Sequence, residues 1–177
     1  MNIAIVVYSL TCNNAKLAHS LSRALNAPCI EIQPEHPVKG GTIFCNLVFG
    51  GAPKSKPEPS SLANYDKVVF VAPVWMGMAA FPLRPFLNAA GRLKKPYAFL
   101  TIDGGSEGGN AGLEKDLIKR AGSAPAFFLP QHIPALLAGK AIPNHDTSKP
   151  YLLTEADGDA LAAIAVTKLN QSDFFKR

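Results

Sequence analysis

Between an apolar run and an amphipathic one, the stretch SLTCNN places Ser9, Thr11, Asn13 and Asn14 within six residues. The first N–H groups of a helix lack intrahelical partners, and the helix dipole is positive at that end. A phosphate can therefore be held there without lysine or arginine, with hydroxyls and carboxamides as added donors. Serine, threonine and asparagine are also the preferred N-cap residues, but one or two would serve that purpose, and here there are four. Two other stretches carry similar promise. Pro73, Val74, Trp75, Met76 and Gly77 join the chain's one tryptophan to a methionine and a glycine after an apolar run. Such residues either plug a core or pack on a flat aromatic ring. The stretch TIDGGSEGGN, Thr101 to Asn110, holds four glycines from Gly104 to Gly109, so its backbone can approach a ligand closely beside Asp103.

These stretches follow strand candidates. Apolar runs at Ile3 to Tyr8, Pro28 to Ile32, Lys67 to Pro73, Tyr97 to Ile102 and Ala124 to Leu129 alternate with amphipathic segments. The first, third and fourth are nearly continuous, as strands covered on both faces require. Helices are expected near Asn13 to Leu25, Phe81 to Gly91, Gly109 to Ala121 and Glu155 to Leu169. Apolar residues recur three and four apart at Leu17, Leu21 and Leu25, and at Leu161, Ile164 and Leu169. The alternation predicts an α/β three-layer sandwich around a five-stranded parallel sheet. In such sheets ligands bind outside the carboxyl ends of the strands, where the three stretches fall. Pro34 to Asn64 and Pro130 to Tyr151 break the rhythm; a short helix near Thr42 to Phe49 fits the first, before a Gly/Pro/Ser-rich loop.

The 177 residues suit one domain, 1–177, with 47% apolar and 18% charged residues. No run approaches ~18 consecutive apolar residues, so no membrane span is expected. MNIAIVVYSL reads as a buried strand and not a secretion signal. Cys12, Cys29 and Cys45 lack C-x-x-C spacing, which argues against zinc or a disulfide framework and for a reducing, cytoplasmic setting. His19, His36, His132 and His145 are too dispersed for a metal site. The net charge of +5 is scattered and not interleaved with aromatics, so nucleic acid is not an expected partner.

SLTCNN resembles the phosphate loop of flavodoxins, written S/T-x-T-G-N-T. Tyr65 to Leu87, YDKVVFVAPVWMGMAAFPLRPFL, is similar to the flavodoxin-like segment YD-x-I-x-x-G-x-P-V-W-x-G-x-x-x-x-P-x-R-x-F-L. The resemblance runs from Ile3 to about Leu129 and implies a flavodoxin-like fold with strand order 2-1-3-4-5 and FMN as cofactor. By that resemblance Ser9, Thr11, Cys12, Asn13 and Asn14 surround the FMN phosphate. Pro73 to Gly77 line the isoalloxazine, and Asp103 and Gly104 approach its polar edge.

Two positions depart from the pattern. Cys12 replaces a glycine and Asn14 a hydroxyl residue; if the glycine position needs positive φ, Cys12 carries strain of about 1 kcal/mol or more. The family's carriers are acidic, whereas this chain has a pI near 9.2, and Ile102 to Asn110 holds no aromatic to shield a ring. The resemblance then implies an NAD(P)H-dependent FMN oxidoreductase that reduces quinones or similar small electron acceptors. No protein acid, base or nucleophile is needed for hydride transfer. Alternatives are a flavodoxin-type electron carrier and a flavin-free interaction protein of the same fold. Arg84 or Lys54 could meet dinucleotide phosphates or be solvated surface charge, and a homodimer is left open.

Overall fold

The structure, a computed structural model, describes residues 1–38, 41, 46, 51–103, 111–133 and 151–176. The helix expected near Thr42 to Phe49 and most of Pro130 to Tyr151 lie outside the described residues.

The apolar runs form one parallel sheet. Strands β1 (Ile3–Val7) and β2 (Cys29–Glu31) are followed by a short antiparallel pair, β3 (Gln33–Pro34) with β4 (Ser55–Lys56). Next come β5 (Lys67–Val71), a hairpin of β6 (Val74–Trp75) and β7 (Met78–Ala79), then β8 (Tyr97–Asp103) and β9 (Phe127–His132). The sheet order is β2-β1-β5-β8-β9, every pair parallel. Counted along the sheet's own strands this is 2-1-3-4-5, as expected. The chain leaves β1 for one side and crosses to β5 on the other, so the carboxyl ends of β1 and β5 flank the point where the order reverses.

Helices cover both faces. On one, α1 (Asn13–Leu25) and α4 (Glu155–Gln171) bury Leu17, Leu21, Leu161 and Leu169 against Ile5, Val69, Ala98 and Leu100. On the other, α2 (Arg84–Arg92) and α3 (Ala111–Ala121) bury Phe86, Leu87, Leu113 and Leu117 against Val68, Phe70 and Phe99. Each such side chain contributes about 1.5–3 kcal/mol of burial. Alternate residues of β1, β5 and β8 feed opposite cores, which is why these strands are apolar throughout.

Two boundaries and one buried face differ from expectation. Strand β9 begins at Phe127, three residues late, with the Ala126 N–H donating to the Tyr97 carbonyl at 2.8 Å just before it. Its own Pro130, opposite Thr101, is tolerated because β9 is an edge strand. Helix α2 starts only at Arg84, behind a 3₁₀ turn over Phe81–Leu83. In α4, Ile164 is exposed and Ala162 and Ala165 take the buried positions. Residues 161, 162, 165 and 169 fall within ~100° on the helical wheel, and 164 lies outside that arc.

Helix α4 opens on a capping box: Thr154 Oγ1 accepts from the Asp157 N–H at 3.1 Å, and Asp157 Oδ2 accepts from the Thr154 N–H at 3.0 Å. Gly158 lets α4 close on α1, where a Cβ would meet the Ser20 hydroxyl at 3.2 Å and the Lys16 carbonyl at 3.3 Å.

Candidate functional site

Ser9 to Cys12 link the end of β1 to α1. Cys12 is the N-cap, in the left-handed region at φ 67, ψ −13, and makes no side-chain capping bond. This is the conformation that favours glycine, so the substitution of cysteine at the motif's glycine is conformationally costly here. No acidic residue occupies the first turn of α1. The Ser9 hydroxyl oxygen is buried with no hydrogen-bond partner among the described residues, and Thr11 is exposed. An uncapped, positive helix start beside an orphaned buried hydroxyl suits an oxyanion ligand.

The asparagines behave differently from expectation. Both are buried, at 4% and 3% exposure, and their carboxamides turn into the protein. Asn13 donates to the Tyr151 carbonyl at 2.8 Å and accepts from the Leu153 N–H at 2.9 Å. Asn14 donates to the Ile102 carbonyl at 3.1 Å and accepts from the Ile102 N–H at 2.9 Å. Each side chain thus pairs with backbone as a neighbouring strand would. What Asn13 and Asn14 can offer a ligand is their backbone N–H groups, not the carboxamides. Lys16 is also engaged elsewhere, donating to the Leu153 carbonyl and lying 3.8 Å from Glu155.

After β5 the chain forms a hairpin where a simple loop was expected. Val74 pairs with Ala79 and Trp75 with Met78, around a two-residue turn of Met76 and Gly77 at φ 51 and φ 73. Positive φ at both central residues is the signature of a type I′ turn, which matches strand twist but strains any residue with a Cβ. Met76 is that residue, and it is 76% exposed. The Pro73 carbonyl accepts from the Ala80 N–H at 3.1 Å at the base of the hairpin. Asp116 on α3 fixes its side, its Oδ2 accepting from the Ala79 N–H at 3.2 Å and its Oδ1 held by Arg120 at 2.8 Å.

Trp75 joins the two loops. Its ring meets Tyr8 edge-on at 5.7 Å and 87°, and Phe81 at 5.4 Å. It is half-buried against the core, so it is both packed and partly free. Burial pushes the Tyr8 phenol up to about 12. Sequence reasoning did not reach Tyr8 or the exposed Leu10; both follow directly from β1 reaching the sheet edge.

The third loop, with Gly104 and the Asp103 side chain, lies outside the described residues. Its two ends are described, and both sit at this edge. Ile102 is bound to Asn14, and at the far end a Cβ on Gly112 would come within 3.1 Å of the Gly77 carbonyl oxygen. The first two stretches and the described ends of the third therefore meet at one side of the sheet.

Arg84 is neither surface charge nor free to meet a dinucleotide. It is buried, and donates through Nη1 to the carbonyls of Asn46 at 2.8 Å and Gly51 at 3.2 Å. Burial, then repulsion from Arg120, lower its pKa, while Asp116 acts in the opposite sense. Among the described residues no cluster of three His, Cys, Asp or Glu side chains could hold a metal. Likewise no described helix is long and apolar enough to cross a membrane.

No protein-family model matches the sequence, and no curated protein does. Solved structures do match. One, described as a flavoprotein from Bacteroides eggerthii, is 16% identical, with 93% of this chain covered, 98% of that chain and a TM-score of 0.60. The fold is flavodoxin-like. Oxidised flavodoxin 1 from Bacillus cereus matches at 14% identity over 94% of this chain and 98% of its own, with a TM-score of 0.52. A flavoprotein in complex with FMN from Lactobacillus acidophilus matches at 17% identity over 73% and 92%, with a TM-score of 0.58.

The conformation of Cys12 gives a first expected result. Cys12→Gly should leave the fold as stable or raise it by up to about 1 kcal/mol, because relief of left-handed strain exceeds or offsets the entropy glycine loses on folding. Thermal melts check this; a clear loss of stability would show the φ 67 conformation to be unstrained. Cys12 is exposed, whereas burial and then the Glu31 charge push the Cys29 thiol up to about 11. Peptide mapping after brief alkylation at neutral pH should find Cys12 modified well before Cys29.

Proposed function

We propose that this sheet edge binds FMN, and that the protein is a cytoplasmic NAD(P)H-dependent oxidoreductase that reduces quinones or similar small acceptors. The observation that carries the reading is the start of α1. It is uncapped, free of acidic side chains and adjoined by the Ser9 hydroxyl, unpartnered among the described residues, and Tyr8 at the end of the preceding strand packs on Trp75 of the hairpin. Ser9, Thr11 and the backbone N–H groups of Cys12, Asn13 and Asn14 would hold the phosphate. Pro73 to Gly77 would line the ring, and Asp103 and Gly104 would approach its polar edge. FMN held by these residues would supply the hydride-accepting chemistry that links a reduced nicotinamide to an acceptor. The protein's part is positioning: Asn13 and Asn14 hold the helix start in place, and Asp116 and the Gly77–Gly112 approach hold the hairpin. The FMN-bound flavoprotein of the same fold and the chain's basic pI support the reading.

A flavodoxin-type carrier is the second reading. Leu10 at 49% and Met76 at 76% exposure offer apolar surface for a protein partner at this edge. Steady-state oxidation separates the two. With FMN supplied, the protein should oxidise NADH or NADPH in a quinone-dependent way; FMN-loaded protein that shows none is a carrier.

A further inference from the structure

A cavity of about 730 Å³, which shares no lining residue with the proposed flavin edge, lies between the outer side of α2, the 3₁₀ turn over Pro59–Asn64 and the β3–β4 ribbon. We propose that it is a binding site for a ribonucleotide phosphate. The size falls within the range of about 300–1,000 Å³ usual for small-molecule sites.

Its lining has the charges such a ligand needs. Lys54, Lys56 and Arg92 face the cavity, and none of them has a carboxylate within 4.0 Å among the described residues. Three unpaired cations around one concavity attract a multiply charged anion. Glu35 and Glu58 line the same space. Against a bare phosphate they would repel; against ribose hydroxyls they are acceptors, the role an acidic residue plays toward ribose in dinucleotide folds. A ligand that carries phosphates at one end and sugar hydroxyls at the other satisfies both sets.

Two further features mark the cavity as built. Ser55 in its wall is only 9% exposed, and its hydroxyl oxygen is buried without a partner among the described residues, an unmet polar group of the kind a ligand satisfies. The wall is also fixed. Pro53, Pro59 and Pro85 line it, the Lys54 carbonyl accepts from the Glu35 N–H at 3.0 Å, and Arg84 clamps the Gly51 carbonyl just before the wall begins. A preformed wall reduces the ordering cost of binding.

The test is calorimetric titration with ADP, inorganic pyrophosphate and adenosine. ADP should bind, pyrophosphate should compete with it, and adenosine should bind far more weakly. Lys54→Ala with Arg92→Ala should weaken ADP at least about tenfold. Both side chains are exposed, so the variant should fold, and Lys54→Arg should retain binding. FMN uptake should be the same in all of them. Absence of ADP binding at about 1 mM, equal binding of ADP and adenosine, or an unaffected double variant would each overturn the proposal. Displacement of ADP by NADH would identify the nucleotide half of a dinucleotide as the occupant, and failure of NADH to displace it would identify a free nucleotide; the site stands in either case.

Discussion

Asn14→Ala should destabilise the fold by about 3 kcal/mol, since it strips a buried N–H and a buried C=O of their partners at once. Both belong to Ile102, one residue before the end of β8, and neither can reach water without local opening. Cost is not confined to stability. Asn14 ties the start of α1 to the strand that leads into the third loop, so any ligand that contacts both loops should also bind more weakly. Denaturant unfolding at fixed FMN concentrations separates the two effects. A change below about 1 kcal/mol would show that Ile102 finds other partners. Asn14→Asp, which would set a buried carboxylate oxygen against the Ile102 carbonyl oxygen, should be at least as damaging as alanine.

Gly91→Ala should be comparably damaging for a different reason. A Cβ there would sit 2.4 Å from the Ala121 carbonyl oxygen and 3.0 Å from its Cα, all backbone atoms that no rotamer change can move. Helices α2 and α3 would have to part, at a cost of about 3 kcal/mol, the upper end of the overpacking range. Gly122 is the internal control: it has φ +73 and nothing within 4 Å of a Cβ, so alanine there costs only the left-handed penalty of about 1 kcal/mol. Equal melting temperatures for the two variants would contradict the packing argument.

The residues that announced themselves in the sequence did so through repetition. Ile3 to Tyr8, Lys67 to Pro73 and Tyr97 to Ile102 read as covered strands because burial on both faces leaves no polar alternation to hide. The resemblance supplied the strand order. Asn13 and Asn14 could not be read so directly. The same carboxamide serves a cap, a ligand or a distant backbone, and only tertiary structure brings Tyr151, Leu153 and Ile102 within reach. The hairpin at Val74 to Ala79 escaped because two-residue strands carry no period. Arg84 escaped because a lone arginine among apolar residues reads as surface charge, and its partners are backbone carbonyls invisible in a sequence. Cys12 was legible in part: the motif's glycine pointed to positive φ, and φ 67 is what the loop adopts.

The central claim is that the start of α1 is a phosphate cradle for FMN, and parallel absorbance titrations with FMN and riboflavin test it most directly. The ligands differ only in the phosphate, so wild type should bind FMN at least about tenfold more tightly, with a perturbed flavin spectrum. Ser9→Ala with Thr11→Ala should remove most of that difference while riboflavin binding stays nearly the same. Equal affinities for the two ligands in wild type, or an FMN spectrum that protein leaves unchanged, would contradict the account and return Ser9 to Asn14 to the role of a helix entry.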